Sequence, residues 1–120
     1  MADHIQKGKR GEEEAASFLL AKGYQILERN WRYRHKEIDI IAKDSKETVF
    51  VEVKFRQSLI QQRYDEHVNP AKQKSLLAVA NAYIFEKNLH GPVRFDIIFV
   101  IGKMEKTRIE HIRDAFDSWG

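Results

Sequence analysis

The residues of this chain whose types and spacing could do chemistry lie in two short segments, Glu37–Lys43 (EIDIIAK) and Thr48–Phe55 (TVFVEVKF). Both are rich in β-branched and aromatic residues and read as strands. Between them, Asp44-Ser45-Lys46-Glu47 reads as a turn. Closing the hairpin symmetrically over that turn sets Lys43 opposite Thr48, Ile41 opposite Phe50, Asp39 opposite Glu52 and Glu37 opposite Lys54, unless a β-bulge shifts the register. Directly opposed carboxylates have β-carbons roughly 4.5–5.5 Å apart and repel one another unless positive charge lies between them. A divalent cation removes that penalty. Mg²⁺ prefers oxygen ligands and is commonly held by one or two carboxylates while keeping several waters, so Asp39 and Glu52 are the expected ligands of Mg²⁺ or Mn²⁺. Lys54, two residues beyond Glu52, falls on the same side of its strand, where an ammonium can orient a water or offset charge developing on a phosphoryl group.

A competing reading makes Glu52 and Lys54 members of a solvated sheet face, with Lys54 paired to Glu37. Against it, Phe50, Val51, Val53 and Phe55 are too apolar for a freely solvated edge. In the symmetric register Val49, Val51 and Val53 share a dry face with Ile38, Ile40 and Ala42, and the charges take the other face.

These strands need a frame. From about residue 9 to 22, Ala15, Ala16, Leu19 and Leu20 recur at helical spacing, with Gly23 placed to end the helix. Tyr24–Asn30 reads as a further strand, and residues 56–68 as a polar, mobile connection. Asn69-Pro70 then supplies an N-cap and a first-turn proline for a second helix, in which Leu76, Val79, Ala80 and Tyr83 continue to about Asn88. Val93–Ile101, apolar on both faces, reads as a central strand, and Arg108–Ile112 as a last strand with Phe116 and Trp119 as a packing tail. The order α-β-β-β-α-β with an extra C-terminal strand predicts an α/β protein with a mixed sheet flanked by helices. At 120 residues, a single domain over 1–120 is expected.

Composition excludes several chemistries. With no cysteine there are no disulfides, catalytic thiolates or cysteine-based zinc sites. The five histidines lack zinc-site spacing, and no dinucleotide, phosphate-loop or nucleophile-elbow motif occurs. The longest apolar stretch, Phe95–Ile101, broken only by Asp96, is far short of the roughly 18 residues of a spanning helix, so a soluble cytoplasmic protein with no membrane partner is expected. The net charge of +3 is weakly basic, and local clustering matters more. Residues 29–36 (RNWRYRHK) interleave cations with two aromatics, a pattern suited to phosphate contacts and to stacking on unpaired bases. Arg29, Trp31, Arg32 and Arg34 are therefore candidate nucleic-acid contacts, with Arg56, Lys7, Lys9, Arg10 and Arg63 as an extended rim. The alternative is an amphipathic strand whose Trp31 and Tyr33 pack inward.

Gly8-Lys9-Arg10-Gly11-Glu12, Gly23-Tyr24 with Ile26-Leu27, Arg29-Asn30-Trp31-Arg32, Glu37–Ala42, Val49–Lys54, Lys72 and Arg94-Phe95-Asp96 together resemble the YraN-like family over nearly the whole chain. That bacterial family is similar to Holliday-junction resolvases and to the wider restriction-endonuclease-like, PD-(D/E)xK superfamily. The resemblance implies an endonuclease-like fold, DNA as partner, possible homodimerisation, and metal-dependent cleavage of DNA, branched or structured DNA included. It makes Asp39 the first metal ligand, Glu52 the second and Lys54 the catalytic lysine, with Glu12 matching the helix-one glutamate of resolvases. Lys72 and Gln73 fall where auxiliary residues stand on the second helix, and the resemblance implies that they contact nucleic acid. Two departures exist: Lys36 replaces a glycine that many members carry, and Ile38 stands where the superfamily's motif has proline. Glu12-Glu13-Glu14 near a helix start is otherwise explained by the helix dipole. A non-catalytic nucleic-acid-binding module with a vestigial site is the rival to the nuclease reading.

Overall fold

The computed structural model describes residues 2–57, 70–103 and 106–115, with side chains from residue 9 onward. The chain order is α1 (Ala2–Ala21), β1 (Gln25–Tyr33), β2 (Lys36–Asp44), β3 (Glu47–Arg56), α2 (Pro70–Lys87), β4 (Val93–Lys103) and β5 (Lys106–Ile112). The five strands form one sheet in sequential order. Only β3 and β4 run parallel, joined by the α2 crossover, and the other neighbours are antiparallel. This is the mixed α/β architecture expected, including the extra C-terminal strand. No helix among the described residues is long and apolar enough to cross a membrane. The expected N-cap Asn69, most of the 56–68 connection, Arg63, and the tail residues Phe116 and Trp119 lie outside the described residues.

The helices cover opposite faces of the sheet. Leu76, Val79, Ala80 and Tyr83 of α2 pack on Ile38, Ile41, Phe50, Phe95, Ile97, Phe99 and Ile101, whereas Ala15, Ala16 and Leu19 of α1 pack on Ile40, Ala42, Val49, Val51, Ile98 and Val100. β4 is therefore buried on both sides from Arg94 to Ile101. Leu20, grouped with the core residues by helical spacing, is instead 57% exposed, because α1 buries only the narrower stripe that meets the sheet. The helix also begins at Ala2, earlier than the apolar periodicity marks it. It ends as expected: Gly23 adopts φ 93°, and the Tyr24 and Gly23 amides donate to the carbonyls of Leu19 and Leu20 at 3.0 Å, closing the last turn. Gly11 lets α1 approach the sheet closely, for a β-carbon there would lie 3.3 Å from the Phe55 ring.

One break in the pleat matters for chemistry. Ile38 was expected on the face of Ile40 and Ala42, yet Ile38 and Ile41 both pack under α2 while Ile40 and Ala42 pack under α1. The alternation thus fails once between Ile38 and Ile41. Across from Asp39, between the pairs Trp31–Ile38 and Arg29–Ile40, Asn30 takes a left-handed φ of 53°. An irregular residue in one strand of an antiparallel pair re-aims the side chains beside it.

The opposite end of the sheet is fastened by charge. Arg94 and Asp96 on β4 are buried and form a two-pronged ion pair, Nε to Oδ1 at 3.0 Å and Nη2 to Oδ2 at 3.1 Å. Arg94 also donates to Asp44 at 3.0 Å, to Glu47 at 2.9 Å and to the Tyr24 hydroxyl. Asp96 accepts from the Asp114 amide at 3.0 Å and lies 2.6 Å from His111 Nε2. Lys22 Nζ sits 3.1 Å from His111 Nδ1. An ammonium can only donate, so Nδ1 accepts and Nε2–H donates to Asp96. The network ties the α1–β1 connection, the β2–β3 turn, β4 and β5 into one unit.

Candidate active site

The hairpin register is the expected one from Asp44–Glu47 through Lys43–Thr48 and Ile41–Phe50 to Ile40–Val51. It stops one pair short of Asp39–Glu52, so these residues are not ladder partners as the symmetric hairpin implies. Here the Val53 amide donates to Asp39 Oδ2 at 2.8 Å, a side chain taking a place that a strand carbonyl fills in a regular ladder. The Glu37–Lys54 pairing of the competing reading is also absent. Glu37 lies 3.9 Å from Arg32 instead, and Lys54, partly buried, makes no ion pair or hydrogen bond among the described residues.

Asp39 and Glu52 still meet. Burial pushes the Asp39 carboxyl far above the usual range, helped by a side-chain hydrogen bond to Glu52 and by that residue's charge. These effects disfavour the charged form of Asp39 in the ion-free protein. Glu52 is only 11% exposed, and its Oε2 accepts no hydrogen bond among the described residues although Lys72 Nζ lies 3.1 Å away. Distance satisfies an ion pair there, but alignment does not satisfy a hydrogen bond. A buried carboxylate oxygen with an unused lone pair, beside a second carboxyl whose charge burial disfavours, is a donor set suited to a hard cation. The residues therefore fit Mg²⁺ or Mn²⁺. Among the described residues the ligating groups number fewer than three, so water would have to complete any coordination shell.

Glu12 reaches the same neighbourhood from α1. Burial raises its pKa first, followed by the charges of Glu37 and Glu52, against opposing effects of Arg29 and of a hydrogen bond from Asn30. That bond, Asn30 Nδ2 to Glu12 Oε1 at 2.9 Å, gives the irregular residue of β1 a role that sequence reading missed. Its signal was present, since asparagine tolerates left-handed backbone better than other non-glycine residues. Lys72, expected at nucleic acid, serves as the nearest cation to Glu52. On β3, Val51, Val53 and Phe55 face α1, which leaves Glu52 and Lys54 together on the α2 side.

The remaining basic candidates divide. Arg32 and Arg34 are exposed, whereas the Arg29 guanidinium donates to Glu13 at 3.0 Å. Arg56 Nη1 donates to the Phe55 carbonyl at 2.8 Å, and Gln73 is partly buried on α2. Trp31 packs edge-on against Tyr83 with ring centroids 5.0 Å apart, and Tyr33 joins the same side of the core, as the inward-packing reading required.

Comparison with known proteins agrees with this sequence pattern. The profile of the Uncharacterised protein family UPF0102 matches residues 11–100. A UPF0102 protein of Phocaeicola vulgatus is 41% identical over 97% of this chain and 96% of its own length. Its counterpart in Bacteroides thetaiotaomicron is 44% identical over the same shares. UPF0102 protein FP2501 of Flavobacterium psychrophilum is 43% identical over 97% of this chain and 98% of its own. The matched span runs from Gly11, beside Glu12, to Val100 and includes Asp39, Glu52 and Lys54, so the chain belongs to the UPF0102 family, the YraN family whose motifs its residues resemble.

Proposed function

We propose that the protein is a Mg²⁺- or Mn²⁺-dependent nuclease that hydrolyses phosphodiester bonds in DNA. The observation that carries this reading is the Asp39–Glu52 pair: a carboxyl group whose pKa burial raises, beside a second one whose buried Oε2 has no hydrogen-bond partner among the described residues. When bound there, a divalent ion supplies Lewis acidity and a water of lowered pKa. Asp39 and Glu52 would hold it, with Asp39 kept in place by the Val53 amide. Lys54 has no competing partner among the described residues and orients the attacking water or offsets phosphoryl charge. Glu12, its pKa raised and its side chain fixed by Asn30, accepts a proton near the site. Arg32 and Arg34 bind backbone phosphates.

Incubation with single-stranded, duplex, flap and four-way DNA in Mg²⁺ or Mn²⁺ tests the reading. Lys54→Ala should slow cleavage at saturating DNA by about tenfold to a hundredfold while keeping most of the affinity, because a group acting on developing charge contributes to rate more than to ground-state binding. Arg32→Ala or Arg34→Ala should weaken binding to all sequences alike and reduce its salt dependence, leaving saturated turnover intact. Equal residual cleavage by wild type and Lys54→Ala on every substrate would transfer the lead to the non-catalytic binding module.

A further inference from the structure

A groove of about 700 Å³ opens between β1 and α2, lined by Trp31, Tyr33, Ala82 and Phe85, with Glu86 at its edge. Phe85 is 89% exposed, although a phenylalanine gains nothing from standing in water. Phe85 and Leu20 are the large exposed hydrophobics among the described residues, and Leu20 belongs to the other helix. One phenylalanine over a short groove is far less apolar surface than the roughly 1,000 Å² that a specific protein interface needs. It is, however, enough for one planar ring to stack on.

The surroundings select the ring. Arg34 lies over the Tyr33 ring at 5.3 Å, whereas Arg32, between Trp31 and Tyr33 on the strand, points to the opposite face of the sheet. Glu86 is offset by Lys87 at 3.7 Å. Aromatic faces with a guanidinium group beside them suit a heterocycle attached to a phosphate backbone. Trp31 pairs across β1–β2 with Ile38, the residue before Asp39, so the groove lies about two strand spacings, roughly 10 Å, from Glu52.

We propose that this groove binds an unpaired nucleobase of the DNA strand, so that the protein engages DNA carrying extruded or single-stranded nucleotides beside the carboxylate pair. The inference rests on the DNA-cleaving reading above and names its substrate class. A base stacked within a duplex cannot enter the groove without unpairing, so blunt duplex gains nothing from Phe85.

The test measures binding in EDTA, where metal-dependent chemistry is silent. Wild-type protein and Phe85→Ser are titrated against a blunt duplex and against the same duplex with a short single-stranded overhang carrying 2-aminopurine. The wild type should quench 2-aminopurine on binding and prefer the overhang. Phe85→Ser should lose the quenching and bind the overhang about tenfold more weakly, while blunt-duplex affinity stays within about twofold. Phe85→Trp should restore both readouts. Because Phe85 is exposed, its replacement leaves the core packing alone, and a thermal melt checks this. Unchanged affinity and quenching in Phe85→Ser, with DNA still bound, overturn the groove proposal and leave the nuclease reading standing. Absence of wild-type binding to either DNA overturns both. A wild-type dimer that Phe85→Ser splits in sedimentation, with DNA binding unaltered, overturns the base site in favour of a second copy of the chain.

Discussion

Replacing Arg94 by methionine is expected to destabilise the protein by about 3–5 kcal/mol, the range found when one partner of a buried ion pair is removed. Arg94 and Asp96 are 5% and 1% exposed, so the orphaned Asp96 charge would have His111 and the Asp114 amide but little water. Against a total stability of roughly 5–15 kcal/mol this is a large share. Urea unfolding of Arg94→Met measures it. Arg94→Lys should recover only part, since an ammonium cannot reproduce a guanidinium fork that meets Asp96, Asp44 and Glu47 together. The double variant Arg94→Met/Asp96→Asn should lose less than the single one, because the uncompensated charge leaves with its partner. A loss below about 1 kcal/mol in Arg94→Met would show that the network is ornamental.

The same network sets a response to acid. Burial opposes the Asp96 charge, but hydrogen bonds from His111, Arg94 and the Asp114 amide outweigh it and lower the pKa. Arg94 lowers that of Asp44. A carboxyl depressed in the folded state adds stability above its ordinary pKa that is lost as pH falls through the folded value. Wild type should therefore weaken below about pH 4, and Arg94→Met should show a shallower dependence there.

Asp39→Asn is expected to do the reverse of most substitutions at a candidate site and stabilise the metal-free protein. Because the folded pKa of Asp39 is raised, its contribution is fully present below the ordinary carboxyl pKa and is lost as pH rises toward the folded value. At neutral pH the unfolded chain has released this proton and the folded one retains it. Asparagine removes that imbalance, offers an oxygen to the Val53 amide and places an NH₂ donor where the protonated acid had its hydroxyl. The gain should be about 2–4 kcal/mol near pH 7.5 in EDTA, reduced by whatever solvent still screens the pair. Thermal melts should accordingly move up by about 10 °C and converge with wild type near pH 4. Titrating Mn²⁺ should raise the wild-type melting temperature and leave Asp39→Asn nearly unmoved. Cleavage should vanish in the variant on every substrate. An equal Mn²⁺ response in both proteins would place the ion elsewhere, and a destabilised variant in EDTA would refute the raised pKa of Asp39.

The sequence alone determined whatever depends on periodicity and local chemistry. Helical spacing picked out Leu76, Val79, Ala80 and Tyr83, strand composition picked out the hairpin, and Gly23 marked the end of α1, because these signals are carried by neighbours along the chain. The order of elements followed, and with it the nearness of Asp39 to Glu52. Tertiary structure decided the rest. The side chains beside Asp39 left their simple alternation because the strand faces Asn30 in left-handed backbone, and a pleat break on one strand is invisible in the periodicity of the next. Lys72 met Glu52, and Asn30 met Glu12, across gaps of 20 and 18 residues that only packing could close. Leu20 was left in water because the helix stripe that reaches the sheet is narrower than its apolar run. Above all, the protonation of Asp39 comes from desolvation by the assembled fold; an aspartate in a sequence has an ordinary pKa until the surrounding chain takes its water away.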